Sequence, residues 1–278
     1  QKIINIILIN RQVLIMIKAK TQKIQDLMKS NGLRYSSEKI SEFIEEAEKD
    51  NIAYSRFLEN ILNNENTERK EKKRLRNYSA AHFPPNVHKI DDYDISELNS
   101  GITQAQLDQL KEMIWLEAST NVLLIGPPGL GKTMLAVALG AEAINLGYSV
   151  CFERMNTLVD ILTTAKVSKR AEFRLRKFKS VDLLIVDEIG FLPVSKEEAN
   201  AFFTLISEIY ETTSIIITSN KNITQWSELL GDPTLTTALL DRLLFNAKCY
   251  SLEGDSYRLK HPITDNQIIT ERRGKTKS

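Results

Sequence analysis

Short apolar runs alternate with helical patterns along the second half of the chain. Each run is four to seven residues long, which is typical of a buried β-strand. The runs are NVLLI (121–125), VCFE (150–153), VDLLIVD (181–187), SIIIT (214–218) and KCYSL (248–252). Strands that alternate with helices form a parallel sheet covered on both faces. The pattern therefore predicts an α/β fold with five parallel strands.

The first part of the chain has a different period. Between residues 21 and 64, apolar residues recur at spacings of three and four in three stretches, which predicts three amphipathic helices. The stripes are Ile24, Leu27 and Met28; Ile40, Phe43, Ile44 and Ala47; and Tyr54, Phe57, Leu58, Ile61 and Leu62. A helical domain of about 40 residues is marginal alone. It is either a docking arm for a partner or a helical cap on the main domain.

Three further segments complete the predicted domain organisation. Residues 1–20 begin with a run that is too short and too polar to span a membrane, and we expect a disordered or non-native stretch with Met16 as the natural start. Residues 65–100 combine a charge run with the sequence FPP, which predicts a charged, extended linker. The remaining boundaries are 101–262 for the main domain and 263–278 for a basic C-terminal tail.

The composition is that of a soluble globular chain, with 278 residues, 42% of them hydrophobic and 26% charged. Its formal net charge of +1 neither requires nor excludes nucleic acid, so any basic surface must come from local clustering. The two cysteines, Cys151 and Cys249, are too few for a disulfide framework, and the three histidines are scattered. These features predict a reducing compartment, the cytoplasm, and no transition-metal site.

A glycine-rich turn joins the first of the five strands to a helical pattern. Residues 126–133 read GPPGLGKT and fit the phosphate-binding pattern G-x-x-x-x-G-K-[ST] in its strand-to-helix context. In such a loop, backbone N–H groups surround a phosphate, Lys132 reaches the outer phosphates, and Thr133 offers its hydroxyl to Mg²⁺. The turn therefore predicts binding of ATP or GTP. The nucleotide-binding residues are predicted to be Gly126, Pro127, Pro128, Gly129, Leu130, Gly131, Lys132, Thr133 and Met134.

Two carboxylates follow the third strand in the sequence LLIVDE. Asp187 can hold the Mg²⁺ shell, and Glu188 can orient or deprotonate an attacking water, which indicates hydrolysis. A strand end without function is the simpler alternative, and a metabolic P-loop kinase is another. Asn220, which follows the fourth strand, can position the same water.

Positive charge is concentrated between the second and third strands. The stretch AKVSKRAEFRLRKFKS (165–180) contains seven basic residues and one acid, Glu172. As a helix it would dock an apolar stripe of Val167, Ala171, Leu175 and Phe178 and present a basic face outward. A merely solvated surface is the alternative, and residues 69–76, with six basic residues, are a second candidate for phosphate contact. The predicted DNA-binding residues are Lys166, Lys169, Arg170, Arg174 and Lys177.

The order of the motifs resembles that of a known family. GPPGLGKT, LLIVDEIGFLP, IITSN, LLGDPTLTTALLDRLL and SYRLK occur in this order, and the chain resembles the AAA+ ATPases of IstB type, transposition helpers similar to DnaC-type helicase loaders. The resemblance implies that Asn220 is a sensor residue and that Arg242 is an arginine finger for a neighbouring subunit's ATP. It implies that Arg258 is the second sensor. As a departure from fuller AAA+ proteins, only residues 259–278 follow Arg258, too few for a helical lid.

The resemblance also implies cofactors, partners and topology. It implies ATP with Mg²⁺, assembly of identical subunits into a ring or spiral on DNA, and a partner transposase. The helicase-loader alternative is a nucleotide-gated adaptor whose partner is a replicative helicase. The implied strand order is 5-1-4-3-2, which places Cys151 and Cys249 at opposite sheet edges, several strand spacings of about 4.8 Å apart and beyond disulfide reach.

Overall fold

The computed structural model describes residues 16, 18–190 and 194–260 of the chain. The contacts divide the chain into two compact units, Gln1–Leu75 and Arg76–Ser278. The described part of the first unit is helical, and the second unit contains the predicted sheet. No helix among the described residues is long and apolar enough to cross a membrane.

The first unit has the small core that its apolar stripes predict. Its helices are residues 18–30 (α1), Arg34–Glu38 (α2), Ile40–Lys49 (α3) and the first part of Tyr54–Ala81 (α4). The side chains of Met28, Ile40 and Ile61 are buried together, and partly buried apolar residues surround them. A core of this size buries little apolar area. It therefore stabilises the unit only weakly, because the stabilisation is roughly proportional to the buried apolar area.

Helix α4 extends beyond its apolar stripe. It continues to Ala81, so residues 65–81 of the predicted charged linker are helical. Glu, Lys, Arg, Leu and Ala are strong helix formers, and pairs such as Arg74 with Glu71, three residues apart at 2.7 Å, support a polar helix. Beyond α4 the chain contains FPP and two 3₁₀ turns, Ile90–Asp92 and Ile95–Glu97.

The second unit is built on a five-stranded parallel sheet. A short strand β1 (Leu98–Ser100) precedes it, and its own strands are β2 (Asn121–Ile125), β3 (Val150–Arg154), β4 (Leu183–Ile189), β5 (Ser214–Ser219) and β6 (Ala247–Ser251). The spatial order is β3-β4-β5-β2-β6, and every adjacent pair is parallel. When β2 is counted as the first of the five strands, this is the order 5-1-4-3-2, so the predicted topology is confirmed.

Both faces of the sheet are covered. In β2, Val122 and Leu124 join one apolar cluster while Leu123 and Ile125 join the other, because successive side chains of a strand point to opposite faces. The covering helices are α5 (Gln104–Lys111), α6 (Ile114–Glu117), α7 (Lys132–Asn145), α8 (Met155–Thr164), α9 (Lys169–Phe178), α10 (Lys196–Ile209), α11 (Trp226–Leu230) and α12 (Pro233–Leu244). Burial on both faces explains why the strands read as continuous apolar runs.

The two cysteines lie on the edge strands of this sheet. Cys151 is in β3 and Cys249 is in β6, at opposite edges, and both are free thiols, as predicted. Burial raises the pKa of each thiol, which lowers the fraction of reactive thiolate.

The parallel arrangement brings the carboxyl ends of all five strands to one edge of the sheet. Strands β4, β5 and β2 are neighbours there, so Asp187 near the end of β4 lies on the same edge as Asn220 and Gly126, which follow β5 and β2. Open α/β sheets bind ligands at this edge.

Candidate functional site

The loop 126–131 turns from β2 into α7. Its glycines, Gly126, Gly129 and Gly131, have φ angles of 148°, 89° and 75°, which L side chains rarely adopt. Space is also limiting at Gly126, where a Cβ atom would lie 2.2 Å from the carbonyl oxygen of Leu252. Gly131 is the N-cap of α7, so the unpaired N–H groups of the first helical turn face the loop. Such a turn suits an anion.

Lys132 lies across this loop at the start of α7. Lys132 is 9% exposed, and its Nζ donates hydrogen bonds to the carbonyl oxygens of Gly126 and Pro127, both at 2.6 Å. A buried ammonium group needs such partners because it has lost most of its hydration. The loop therefore combines backbone donors with a full positive charge.

Asp187 is buried near the end of β4 and is 1% exposed. Its Oδ1 accepts hydrogen bonds from the hydroxyls of Thr133 at 2.8 Å and Thr218 at 2.6 Å. Its Oδ2 is buried and has no hydrogen-bond partner among the described residues. An unpaired buried carboxylate oxygen is costly, and it is the kind of ligand that a hard divalent cation takes. Thr133 and Asp187 therefore fit Mg²⁺.

The part of the chain that the structure describes contains no group of three or more His, Cys, Asp or Glu side chains that could hold a metal ion. Mg²⁺ commonly binds one or two protein ligands and completes its shell with water and phosphate oxygens. The donor set therefore fits a metal that arrives with a nucleotide.

Glu188 leaves the regular geometry of β4. Its φ is 62°, and the pairing of β4 with β5 is irregular at this point. Its N–H donates a hydrogen bond to the Thr218 hydroxyl at 2.9 Å, the same hydroxyl that donates to Asp187. Its side chain is 48% exposed, and its Oε2 lies 3.8 Å from Nε of Arg154 at the end of β3. Backbone strain of this kind clusters at functional sites.

A cleft of about 720 Å³ adjoins the loop and the strand ends. Residues 128–134 line it, together with Glu188, Thr218, Ser219 and the exposed Asn220. Gly126 and Pro127 contribute their carbonyl groups to Lys132 instead. The structure thus brings the predicted phosphate loop, carboxylates and asparagine together.

Two further segments line the cleft beside the phosphate loop and the strand ends. The additional residues are His88, Asp92, Tyr93, Asp94 and Leu98 before the main domain, and Asp255 and Tyr257 after β6. Strand β1 pairs with β7 (Glu253–Gly254), and the N–H of Tyr257 donates to the carbonyl of Gly129 at 3.1 Å. These contacts bring the two segments to the loop. In the sequence, the signals for this role are an aromatic residue within the acidic stretch IDDYD, for the first segment, and the motif SYRLK, which contains Tyr257, for the second.

Tyr93 is the most buried of the five residues of the first segment that line the cleft. It is 8% exposed, and its hydroxyl donates a hydrogen bond to the carbonyl of Leu130 at 3.1 Å. Burial raises its pKa to about 12, so the phenol stays neutral and remains a donor. Tyr93 thereby fixes the segment 88–98 against the phosphate loop.

Of the two arginines named by the resemblance, Arg242 lies outside the cleft lining. Arg242 is half-buried on α12, where its Nη1 donates to the carbonyl of Ala238 at 2.9 Å and its guanidinium lies 4.8 Å from the centre of the Phe203 ring. It does not line the cleft of its own subunit. Arg258 is on the short helix α13 (Tyr257–Lys260), and its side chain lies outside the described part of the structure.

The basic stretch forms α9, which is shorter than the predicted helix. Ser168 is its N-cap and accepts a hydrogen bond from the N–H of Ala171 at 3.3 Å. Ala171 and Phe178 are buried as predicted, and Leu175 is partly buried. Val167 was expected in the same stripe, but it precedes the helix and is 88% exposed.

Two of the predicted DNA-binding side chains are not on the outward surface. Arg174 forms an ion pair with Glu153 of β3, and these side chains are 15% and 13% exposed. Lys177 donates a hydrogen bond to the carbonyl of Ala80, and burial lowers its pKa. The prediction of an outward position is wrong for both, because each reaches an acceptor on a packed element. The exposed members of the predicted set are Lys166, Lys169 and Arg170.

Known sequences similar to this chain come from insertion sequences. The model of a family described as IstB-like ATP binding protein matches residues 27–264. A relative from Pseudomonas aeruginosa, named an ATP-binding protein of insertion sequence IS21, is 35% identical over 259 residues, which cover 89% of this chain and 97% of the relative. A relative from Geobacillus stearothermophilus, named for insertion sequence IS5376 and ATP binding, is 36% identical over 224 residues, covering 81% and 88%.

Solved structures with a similar fold include the replication initiator DnaA. DnaA from Aquifex aeolicus bound to AMPPCP aligns with a TM-score of 0.50 and 22% identity, over 70% of this chain and 56% of that one. A DnaA structure with AMPPCP and single-stranded DNA aligns with a TM-score of 0.51, 22% identity and the same coverage. At this identity the likeness shows the fold alone, an α/β fold with a parallel sheet.

Proposed function

The chain belongs to the IstB-like ATP-binding protein family, and from that premise we propose that it is an AAA+ ATPase that hydrolyses ATP and assists a transposase in moving an insertion sequence. The family is named for ATP binding, and the phosphate loop is built for it. Hydrolysis, assembly on DNA and transposase assistance are the parts that we propose.

One observation carries the proposal of hydrolysis: Glu188 reaches the cleft from a left-handed backbone position directly after the buried Asp187. In a regular strand, consecutive side chains point to opposite faces, and an irregularity re-aims one of them. Here the irregularity at Glu188 places the two neighbouring carboxylates in different environments. Asp187 is buried beside Thr133, where it can bind a cation, and Glu188 is exposed in the cleft, where it can act on water.

Thr133 and Asp187 would hold the magnesium ion, which supplies positive charge that neutralises the phosphates of the bound nucleotide. Lys132 can exchange its loop carbonyls for a phosphate oxygen, because a charge-assisted hydrogen bond between two ions is stronger than one to a neutral carbonyl. The loop thereby selects a polyphosphate without needing a large rearrangement.

In our proposal Glu188 orients the attacking water and accepts its proton, and Asn220 holds the same water through its amide. Both side chains are exposed in the cleft, at the ends of adjacent strands. Water-accessible groups suit hydrolysis, in which the acceptor of the phosphoryl group is solvent.

Arg242 is proposed to complete the site of a neighbouring subunit. It is away from the cleft of its own subunit, and its stacking on Phe203 restricts the position of the guanidinium group on α12. An arginine finger stabilises the charge of the transferring phosphoryl group. This role requires a homo-oligomer, which we propose to be a ring or spiral.

We propose that this assembly forms along DNA. The exposed cations of α9 and of the turn before it are the proposed DNA contact. The set comprises Lys166, Lys169 and Arg170, extended by Arg176. Contacts to phosphates position a protein on DNA without reading its sequence, so we expect binding with little sequence preference.

The partner is proposed to be a transposase, because the named relatives are ATP-binding proteins of insertion sequences. The first helical unit is the proposed docking arm. Tyr54, Leu58 and Leu62 recur every four residues on α4 and are 90%, 58% and 55% exposed, which leaves an apolar stripe available to a partner.

The test of hydrolysis is Glu188→Gln. We expect unchanged binding of a fluorescent ATP analogue and a phosphate-release rate lowered by about 10²-fold or more, because general base catalysis contributes about 10²–10⁴-fold. Glu197→Gln, which changes an exposed carboxylate on α10 outside the cleft, is the matched control. Parental turnover by Glu188→Gln would refute the proposal.

A further inference from the structure

Helix α9 presents a large aromatic side chain to solvent. Phe173 is 64% exposed, although Ala171 and Phe178 of the same helix are buried. At about 100° per residue, Phe173 lies roughly 160° around the helix from Ala171. Its exposure is therefore a consequence of the helix orientation, and the apolar stripe that packs on the sheet does not include it.

Cations surround Phe173 on this outward side. Lys169 and Arg170 precede it by four and three residues, and Arg176 follows it by three, which are the spacings of helix neighbours. All three are exposed. The acid on the same side is Glu172, which lies 3.9 Å from Arg176. The surface thus has an aromatic ring within a region of net positive charge.

This combination selects a polyanion that also offers apolar faces. Nucleic acid has both, because its phosphates match the cations and each base has a π-face that stacks on aromatic rings. In an intact duplex the base faces are covered by their neighbours, and side chains reach them only where a step is unstacked.

Resting on the proposed DNA contact, we propose that Phe173 stacks on an unstacked base of DNA while Lys169, Arg170 and Arg176 contact the adjacent phosphates. The surface then prefers single-stranded or locally unpaired DNA to an intact duplex. The preference follows from base exposure and is independent of base sequence.

Fluorescence anisotropy with the full chain tests this preference. The probes are a single-stranded oligothymidine, an intact duplex and a duplex with an unpaired bubble. We expect Phe173→Ala to weaken binding of the single strand and the bubble by about fivefold to a hundredfold, the range for loss of one base–aromatic stack, and to change binding of the intact duplex much less. Phe173→Trp should retain the preference.

The matched control is Phe245→Ala, which removes another exposed phenylalanine side chain, 74% exposed and at the C-terminal end of α12. It should leave all three DNA affinities unchanged. A loss by Phe173→Ala that is equal for the three probes, or no loss for any of them, overturns the stacking proposal.

Phe173→Trp also provides a direct spectroscopic readout. The chain has two tryptophans, Trp115 and Trp226, which are 3% and 0% exposed. The introduced indole is therefore an exposed reporter, and stacking on a base should quench its fluorescence when the single strand is added. Unchanged fluorescence under saturating DNA overturns the proposal.

A charge-reversal variant separates this inference from the proposed DNA contact. Lys169→Glu combined with Arg170→Glu should weaken the binding of all three DNA probes and flatten the salt dependence of that binding. If the double variant weakens binding while Phe173→Ala has no effect, the proposal of DNA contact by α9 is retained and the proposal of stacking by Phe173 is refuted. If neither variant changes binding, both proposals fail. Binding of anionic lipid vesicles that is lost in Phe173→Ala, with DNA affinity intact, also overturns stacking.

Discussion

The ion pair between Arg154 and Glu188 predicts a restraint on basal turnover. Their charged atoms are 3.8 Å apart, and Glu188 is the proposed base that must approach water in the cleft. A carboxylate held by a guanidinium is less free to turn toward a water molecule, because the ion pair must first be broken. We therefore expect Arg154→Ala to raise the basal rate of ATP hydrolysis.

The size of the increase follows from the geometry. Two unit charges at this distance interact by about 1 kcal/mol in water and about 4 kcal/mol at an effective dielectric constant of 20. The side chains are 59% and 48% exposed, so the screened limit applies, and exposed pairs of this kind contribute about 0–1 kcal/mol. Because 1.4 kcal/mol corresponds to tenfold, we expect an increase of at most about fivefold.

Steady-state phosphate release at saturating ATP measures this effect. Arg154→Lys keeps the charge and should remain close to the parent. Arg56→Ala is the matched control, because Arg56 forms a similarly exposed pair with Glu59 at 3.6 Å in the first unit, and its rate should not change. At high salt the difference between Arg154→Ala and the parent should shrink, because screening weakens the pair in the parent.

A lower rate in Arg154→Ala with unchanged ATP affinity would refute this reasoning, because Arg154 would then assist catalysis. An increase well above fivefold would show that a screened ion pair is the wrong physical description. An increase that persists at high salt would also contradict an electrostatic origin.

Three other outcomes follow from the site and from α9. Lys132→Ala should lose binding of a fluorescent ATP analogue, because the charge beside the phosphate loop is removed, and parental affinity would exclude this assignment. Arg242→Ala should hydrolyse ATP at a rate lower by about 10³-fold or more, and mixing it with Glu188→Gln should restore some activity, because each variant supplies what the other lacks; no recovery in mixed oligomers would exclude a finger in trans. Arg174→Ala should lower the free energy of unfolding in urea by about 3 kcal/mol, because the nearly buried Glu153 loses its partner, whereas a change below about 0.5 kcal/mol would mean that the pair is not structural.

Several features could be predicted from the sequence because they depend on residues close together in the chain. The apolar runs at 122–125 and 183–186 form strands because uninterrupted branched apolar residues suit a sheet buried on both faces. The phosphate loop is similarly local, since its conformation depends on glycines at fixed positions between one strand and one helix. The five-stranded order came from the resemblance of the motifs, and the observed sheet confirms it.

The charge run of α4 marks an intermediate case. Residues 65–81 have no apolar stripe, which favoured a linker, yet their composition of Glu, Lys, Arg, Leu and Ala favours a helix. The local information was present, but hydrophobic periodicity is a poor guide to a helix that buries little of its surface.

Tertiary structure decided which charges are available at the surface and what completes the cleft. Arg170 and Arg174 are the same residue type, one turn apart on α9, yet Arg174 alone meets the carboxylate of Glu153 from a neighbouring strand. Tyr93 and Tyr257 join the cleft because β1 pairs with β7, two strands far apart in the sequence. Periodicity fixes which side of an element faces the core. Which residue a side chain contacts there depends on how distant elements pack. An ion pair or a strand pair joins groups that are far apart in the chain, and these groups meet only when the whole core is buried.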